Sequence, residues 1–190
     1  MTNPRTDANV SQLGPGGLQI ALKQPPLVVV LVALLILALG ETGGAAMSQL
    51  RPAIERWAAM RVNANAQAHG FSGSAEYDDA VRERAVFTAE SGLSFFHTHA
   101  EGLGLVLFFA STLVASAVRW RRTRAALYVL LTAGGLFPLG YAVYSAAVLE
   151  LGRETGIELA ERWVLTPLGS AALLGLLGLA AALAAARSRA

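Results

Sequence analysis

Four runs of about twenty apolar residues, separated by segments that collect nearly all the charge, constrain this chain more than any other feature of it. They cover about 26–47, 95–118, 125–148 and 163–186. A helix rises about 1.5 Å per residue, so each run can cross a hydrocarbon core of about 30 Å. Inside lipid a backbone must satisfy its own hydrogen bonds, and a helix does so within one segment. The sequence therefore predicts an all-α integral membrane four-helix bundle spanning residues 26–190. Composition agrees, with 54% hydrophobic and 15% charged residues in 190. An arm at 1–25, with Pro4, Gly14, Pro15, Gly16 and Gly17, reads as flexible.

Charge between the runs sets an expected orientation. Arg119, Arg121, Arg122 and Arg124 follow the second run with no acid among them, Arg187 and Arg189 end the chain, and Arg5 and Lys23 precede the first run. By the positive-inside rule these segments are cytoplasmic, so both termini face inward. Glu150, Glu154, Glu158 and Glu161 outnumber Arg153 and Arg162 in the third link, which is expected outside together with the long first link. The expected location is a multi-pass protein of a bacterial inner membrane. The first run, with small residues at Gly43 to Ala46, also fits a secretory signal, and its cleavage would leave the later loops on the same sides.

Several chemistries are excluded at once. The chain has no cysteine, which removes disulfides, thiolate metal sites, iron–sulfur clusters and covalent haem c attachment. A net charge of +2 gives no case for nucleic acid as a partner. Walker loops, His-Glu-x-x-His and nucleophile elbows are lacking.

The extracytoplasmic segment, residues 48–94, is expected to be helical. Ser48 is a candidate cap for an amphipathic helix with Leu50, Ile54, Trp57 and Ala58 on one face. Residues 63–74 read as a loop containing His69. Residues 75–90 read as a second helix, with Tyr77, Val81, Ala85 and Thr88 on one face, feeding into the second span with a bend expected at Gly92. This segment caps the bundle or forms a lid, with His69 as an additional ligand.

Chemistry is best sought at the entry to the second span, in Phe95-Phe96-His97-Thr98-His99-Ala100-Glu101-Gly102. Ionisable groups at membrane depth are costly and therefore point to function. Glu90, Ser94, His97, Glu101, Gly104, Phe108 and Ser111 recur at helical spacing and predict one inward polar face. His97 and Glu101 are neighbours at i and i+4, where a carboxylate can orient an imidazole or share a metal ion. His99 lies about 200° round the helix from His97 and faces elsewhere unless the helix is irregular. Counting helical rise places Glu101 about 9 Å and Glu41 about 8 Å below the outer edge. Tyr141, Tyr144, Thr166 and Pro167 fall in the same layer. Gly40 and Gly44 make a GxxxG spacing for close helix packing, and Pro138 and Pro167 predict kinks. The candidate metal ligands are His97, Glu101, Glu41, His99 and His69, with His97 and His99 as cofactor-binding residues.

His97-Thr98-His99 followed by Leu103-Gly104 resembles the histidine-x-histidine entry to a span in some uncharacterised small membrane proteins. It is also similar to short segments of haem–copper oxidase-like and NnrS-like membrane proteins. The resemblance covers about ten residues and implies haem or copper at His97 and His99. The spans one, three and four lack histidine, so a small transition metal ion suits the His/Glu set better than bis-histidine haem b. Three functions stay open: a membrane redox or metal-binding protein, a non-catalytic accessory or assembly subunit, and a small transport or proton-relay component. Expected partners are the lipid bilayer and a membrane subunit or a second copy, with Gly175 and Gly178 of span four as a close-packing face.

Overall fold

The computed structural model describes residues 22–187. Most of the arm at 1–25 lies outside them. Among the described residues all regular structure is helical, in the order α1 Leu27–Gln49, α2 Arg51–Ala64, α3 Ala75–Ala117, α4 Arg121–Gly135, α5 Leu139–Leu151, α6 Arg153–Ala160, a π turn Glu161–Leu165, and α7 Thr166–Arg187. Four stretches are long and apolar enough to cross a membrane: Leu27–Gln49, Ala75–Ala117, Arg121–Leu151 and Arg153–Ala186.

The two prolines interrupt the third and fourth stretches, for the same chemical reason. Proline has no N–H to donate one turn back. At Pro138 the chain leaves α4 through tight turns, Leu136 N–H to Ala133 O at 3.1 Å and Phe137 N–H to Gly134 O at 3.0 Å, then restarts as α5. Before Pro167 the helix widens instead. Thr166 donates to Glu161 O, five residues back, and the π turn closes without the bond that Pro167 cannot make.

α3 is the structural axis. It is one continuous helix of 43 residues, uninterrupted at Gly92. Gly92 serves packing: it is buried where Ser145 and Tyr144 of α5 press closest to α3. Antiparallel α1 lies along one side of α3, α5 along another, and α4 pairs with α7. Two apolar cores result. One gathers Val29, Ala33, Leu107, Val114, Leu127 and Leu131 near the end where α1 begins. The other gathers Ala58, Val62, Ala85, Ala89, Val148 and Leu149 beneath α2.

The outer segment departs from expectation at its boundaries. Ser48 lies inside α1 and caps nothing; α2 begins after Leu50 with Pro52 in its first turn, where a missing N–H is harmless. Helix extends to Ala64, and turns cover residues 65–70. Ala58 and Val62 are the buried residues of α2, while Trp57 stays 51% exposed. On the second helical stretch Ala85 and Thr88 are buried but Tyr77 is 52% exposed.

The inward face of α3 is also rotated from the expected polar stripe. Its buried residues are mostly small, Ala89, Gly92, Ala100, Gly104, Ala110 and Ser111, with Leu107 and Val114 among them. Ser94 and Phe108 are exposed. Close approach of neighbouring backbones selects for small side chains, and that constraint outweighs the polarity pattern. Gly175 and Gly178 are likewise used inside the chain, against Leu131 and Leu127 of α4.

Two glycine substitutions test this packing. A Cβ at Gly134 would fall 2.6 Å from Ala172 N and 2.7 Å from Ala172 Cβ, whereas one at Gly102 would meet nothing within 4 Å. Gly134→Ala should lose about 1–3 kcal/mol to overpacking. Gly102→Ala should gain up to about 1 kcal/mol from helix propensity. Denaturant titration in detergent, followed by circular dichroism, reads both. Equal stabilities would contradict the tight α4–α7 crossing.

Candidate functional site

The regular geometry of α3 separates the two neighbouring histidines. His97 points at α1. Its Nδ1–H donates to the Gly40 carbonyl at 2.9 Å, and the same nitrogen lies 3.2 Å from Glu101 Oε1. Both partners only accept, so the ring carries a proton on Nδ1. In the neutral ring the lone pair is then on Nε2. Gly44 lets the ring lie flush on α1, since a Cβ there would fall 2.6 Å from His97 Nδ1 and 2.8 Å from Nε2. One turn away, a Cβ at Gly40 would fall 2.7 Å from Ala100 Cβ. The Gly40–Gly44 spacing is therefore a close-packing site, with His97 filling one of its two notches.

His99 belongs to a different environment. Its Nδ1–H donates to Phe95 O at 2.9 Å, one turn back on its own helix. Its ring centroid stands 4.9 Å from Tyr141 and 5.6 Å from Phe137, with Phe95 at 6.2 Å. These rings meet tilted or edge-on, as aromatic quadrupoles favour. The expected layer of Tyr141 with the histidines thus exists for His99. Tyr144 instead packs on Gly92 one turn further along α5.

Glu41 does not join His97 and Glu101. It is exposed on the outward side of α1, and among the described residues no group pairs with it. Its neighbour Thr42 is exposed too and returns its hydroxyl to Ala38 O at 2.7 Å. Among the described residues no three His, Asp or Glu side chains are grouped so as to hold a metal ion. The pairing that the structure does bring together is His97 with Glu101.

His69 is neither a solvated loop histidine nor part of that pair. It is 9% exposed, and its Nε2–H donates to Leu149 O at 3.1 Å. Around it the outer segment is clasped to the end of α5. Arg61 holds Glu150 through two bonds, Nε to Oε1 at 2.7 Å and Nη2 to Oε2 at 2.5 Å, and Asn65 donates to Glu150 Oε2 at 3.1 Å and to Leu149 O at 3.2 Å. The Glu150 carboxylate holds the Arg61 guanidinium above its ordinary range. Sequence reasoning missed this clasp. Its members lie 84 to 89 residues apart, so no local spacing announces them.

Glu90, at the top of the expected stripe, was not carried into the ligand set either. One of its carboxyl oxygens is buried with no hydrogen-bond partner among the described residues. It lines a cleft of about 570 Å³ between the end of α1, the start of α2 and α3. The repeat of polar residues at helical spacing contained Glu90, but nothing in that repeat distinguishes a paired carboxylate from an unpaired one.

Comparison of the chain with protein families, with curated proteins and with solved structures found no match.

The His97 bond makes a direct prediction. His97→Leu removes the hydrogen bond to the Gly40 carbonyl across the α1–α3 seam and should cost about 1–2 kcal/mol. Glu101→Gln keeps an acceptor oxygen near Nδ1 and should cost less than about 1 kcal/mol. The same unfolding titration compares them, and an His97→Leu protein as stable as the parent would remove His97 from the α1–α3 interface.

Proposed function

We propose that the chain is a multi-pass protein of the inner membrane, with both termini in the cytoplasm, acting as a non-catalytic accessory or assembly subunit. The observation that carries this reading is Glu41. Residue 41 stands 14 residues after Leu27, about 21 Å along α1, and it is exposed and unpaired among the described residues. A carboxylate facing lipid costs about 2–3 kcal/mol near the midplane and less toward the surface. A second membrane helix with a donor would remove that cost. The histidines support the same reading. Each spends a ring N–H on a backbone carbonyl, of Gly40, Phe95 or Leu149, as groups that fasten a scaffold do.

The orientation rests on charge. Lys23 N–H donates to Ser116 Oγ at 2.9 Å, so the start of α1 and the arginine-rich link after α3 are at one end of the bundle. Glu150, Glu154, Glu158 and Glu161 lie toward the other end, together with α2. With no native cysteine, single introduced cysteines report sidedness cleanly. Arg122→Cys should resist a membrane-impermeant maleimide in intact cells and Glu154→Cys should react; the reverse pattern would invert the topology.

A photo-crosslinking amino acid tests the partner. Ala45 is one turn from Glu41 and exposed, and Leu174 of α7 is an exposed control at 58%. In native membranes position 45 should give one discrete product, lost in Glu41→Leu, and position 174 none. Diffuse or absent products at 45 would defeat the subunit reading.

A second reading, a transition metal or haem b at His97, is supported by the polarity of that ring. A proton on Nδ1 bonded to Gly40 O, with Glu101 Oε1 3.2 Å from the same nitrogen, leaves Nε2 as the lone-pair nitrogen, as in metal ligands backed by a carbonyl or carboxylate. Elemental analysis and an absorption spectrum of the purified protein decide it. Stoichiometric metal or a Soret band, lost in His97→Ala and retained in His69→Ala, would establish this reading; neither signal after reconstitution would end it.

A further inference from the structure

We propose that the cleft at Glu90 is a binding site for a phospholipid with a primary-ammonium headgroup, phosphatidylethanolamine in chemistry. Four observations converge there. Glu90 supplies a carboxyl oxygen that is buried, lacks a partner among the described residues, and in the ionised form can only accept. An ammonium is the donor that suits it, because a charge-assisted bond offsets the desolvation that an unpaired carboxylate suffers. Arg51 lines the same cleft. Its Nε is spent on Glu55 at 2.9 Å, and the rest of its guanidinium fork is available to a phosphate. A cation and an anion lining one cleft match a zwitterion in which ammonium and phosphate are two carbons apart.

The remaining lining mixes apolar side chains with the hydroxyls of Ser48, Ser91 and Ser94. Met47 and Leu93 are its apolar residues on the side of the span, where the acyl chains of a lipid held by its headgroup would lie. Position in the fold supplies the fourth observation. Gly44 faces His97 in the antiparallel α1–α3 pair, so Met47 and Leu93, about one turn further out, stand where α1 leaves the span and α2 begins. In a bilayer that is the level of headgroups. A soluble zwitterion would find no use for the apolar walls, and a trimethylated choline headgroup has no N–H to give Glu90.

The inference uses the membrane placement proposed above and not the accessory role or the metal. Its test is native mass spectrometry of the full chain in detergent, mixed with equal amounts of dioctanoyl phosphatidylethanolamine and dioctanoyl phosphatidylcholine. The ethanolamine lipid should be retained about tenfold more, the scale of one charge-assisted hydrogen bond. Glu90→Gln should bring the two lipids to parity. Arg51→Gln should lower both together. Should Glu90→Gln fail to fold, Met47→Trp fills the cleft from α1 and should abolish retention of both lipids. Equal retention by the parent chain overturns the proposal, as does a preference that survives Glu90→Gln. Soluble phosphoethanolamine competing as well as the lipid would overturn the lipid assignment in favour of the free headgroup. Failure of the cysteine-labelling pattern, by contrast, would strike at the membrane placement and leave the headgroup chemistry of the cleft to be read separately.

Discussion

The close approach of α1 to α3 is the contact from which the rest of the structure follows. In lipid there is no hydrophobic force to press two apolar helices together, so packing and interhelical hydrogen bonds must do it. Gly40 and Gly44 supply the first, by letting Ala100 and the His97 ring reach the α1 backbone. His97 supplies the second, through the Gly40 carbonyl. The same contact fixes the register of α1 against α3. That register in turn places Glu41 outward, Glu101 beside His97, and the end of α1 beside Glu90.

α3 transmits this register outward. Because its 43 residues form one helix, the part that pairs with α1 in the span is continuous with the part that α2 and α5 grip. Ser145 bonds to Ala89 O at 2.7 Å across the α3–α5 contact, and Arg153 reaches Thr88 at 3.3 Å just above it. The Arg61–Glu150 clasp then ties α2 to the same end of α5. The outer segment is therefore fastened to the bundle along α2 as well as where it joins α1 and α3.

The parts of this architecture that are periodic were legible in the sequence. Four apolar runs, the Gly40–Gly44 spacing, the kink at Pro138 and the divergence of His97 from His99 all follow from rise, twist or a missing N–H. What was not legible depends on which neighbour arrives at a face. Glu41 and Glu101 share a depth, yet one is outward and the other beside His97, because depth constrains height and not azimuth. Ser48 is chemically a good cap, but the helix runs through it and stops only where Leu50 turns toward Pro52. Gly175 and Gly178 signal close packing correctly and leave open whether α4 or another chain occupies it.

Polarity is distributed unequally along the bundle, and this bears on the transport alternative. The core near the start of α1 is made of Val, Ala and Leu side chains from α1, α3, α4 and α7. Ser111 is the buried hydroxyl at that end of α3, and its proton goes to Phe108 O at 3.0 Å. A proton or cation path needs successive groups that exchange partners, each within a hydrogen bond or one water of the next. The ionisable groups of the spans, Glu41, His97, His99 and Glu101, crowd instead into about two turns toward the other end. Beyond them, Tyr128 of α4 is a titratable side chain packed against the core that holds Leu107 and Val114. The carboxylate of Glu41 and the unpartnered oxygen of Glu90 are both found toward that polar end, where the accessory role proposed above would place a partner.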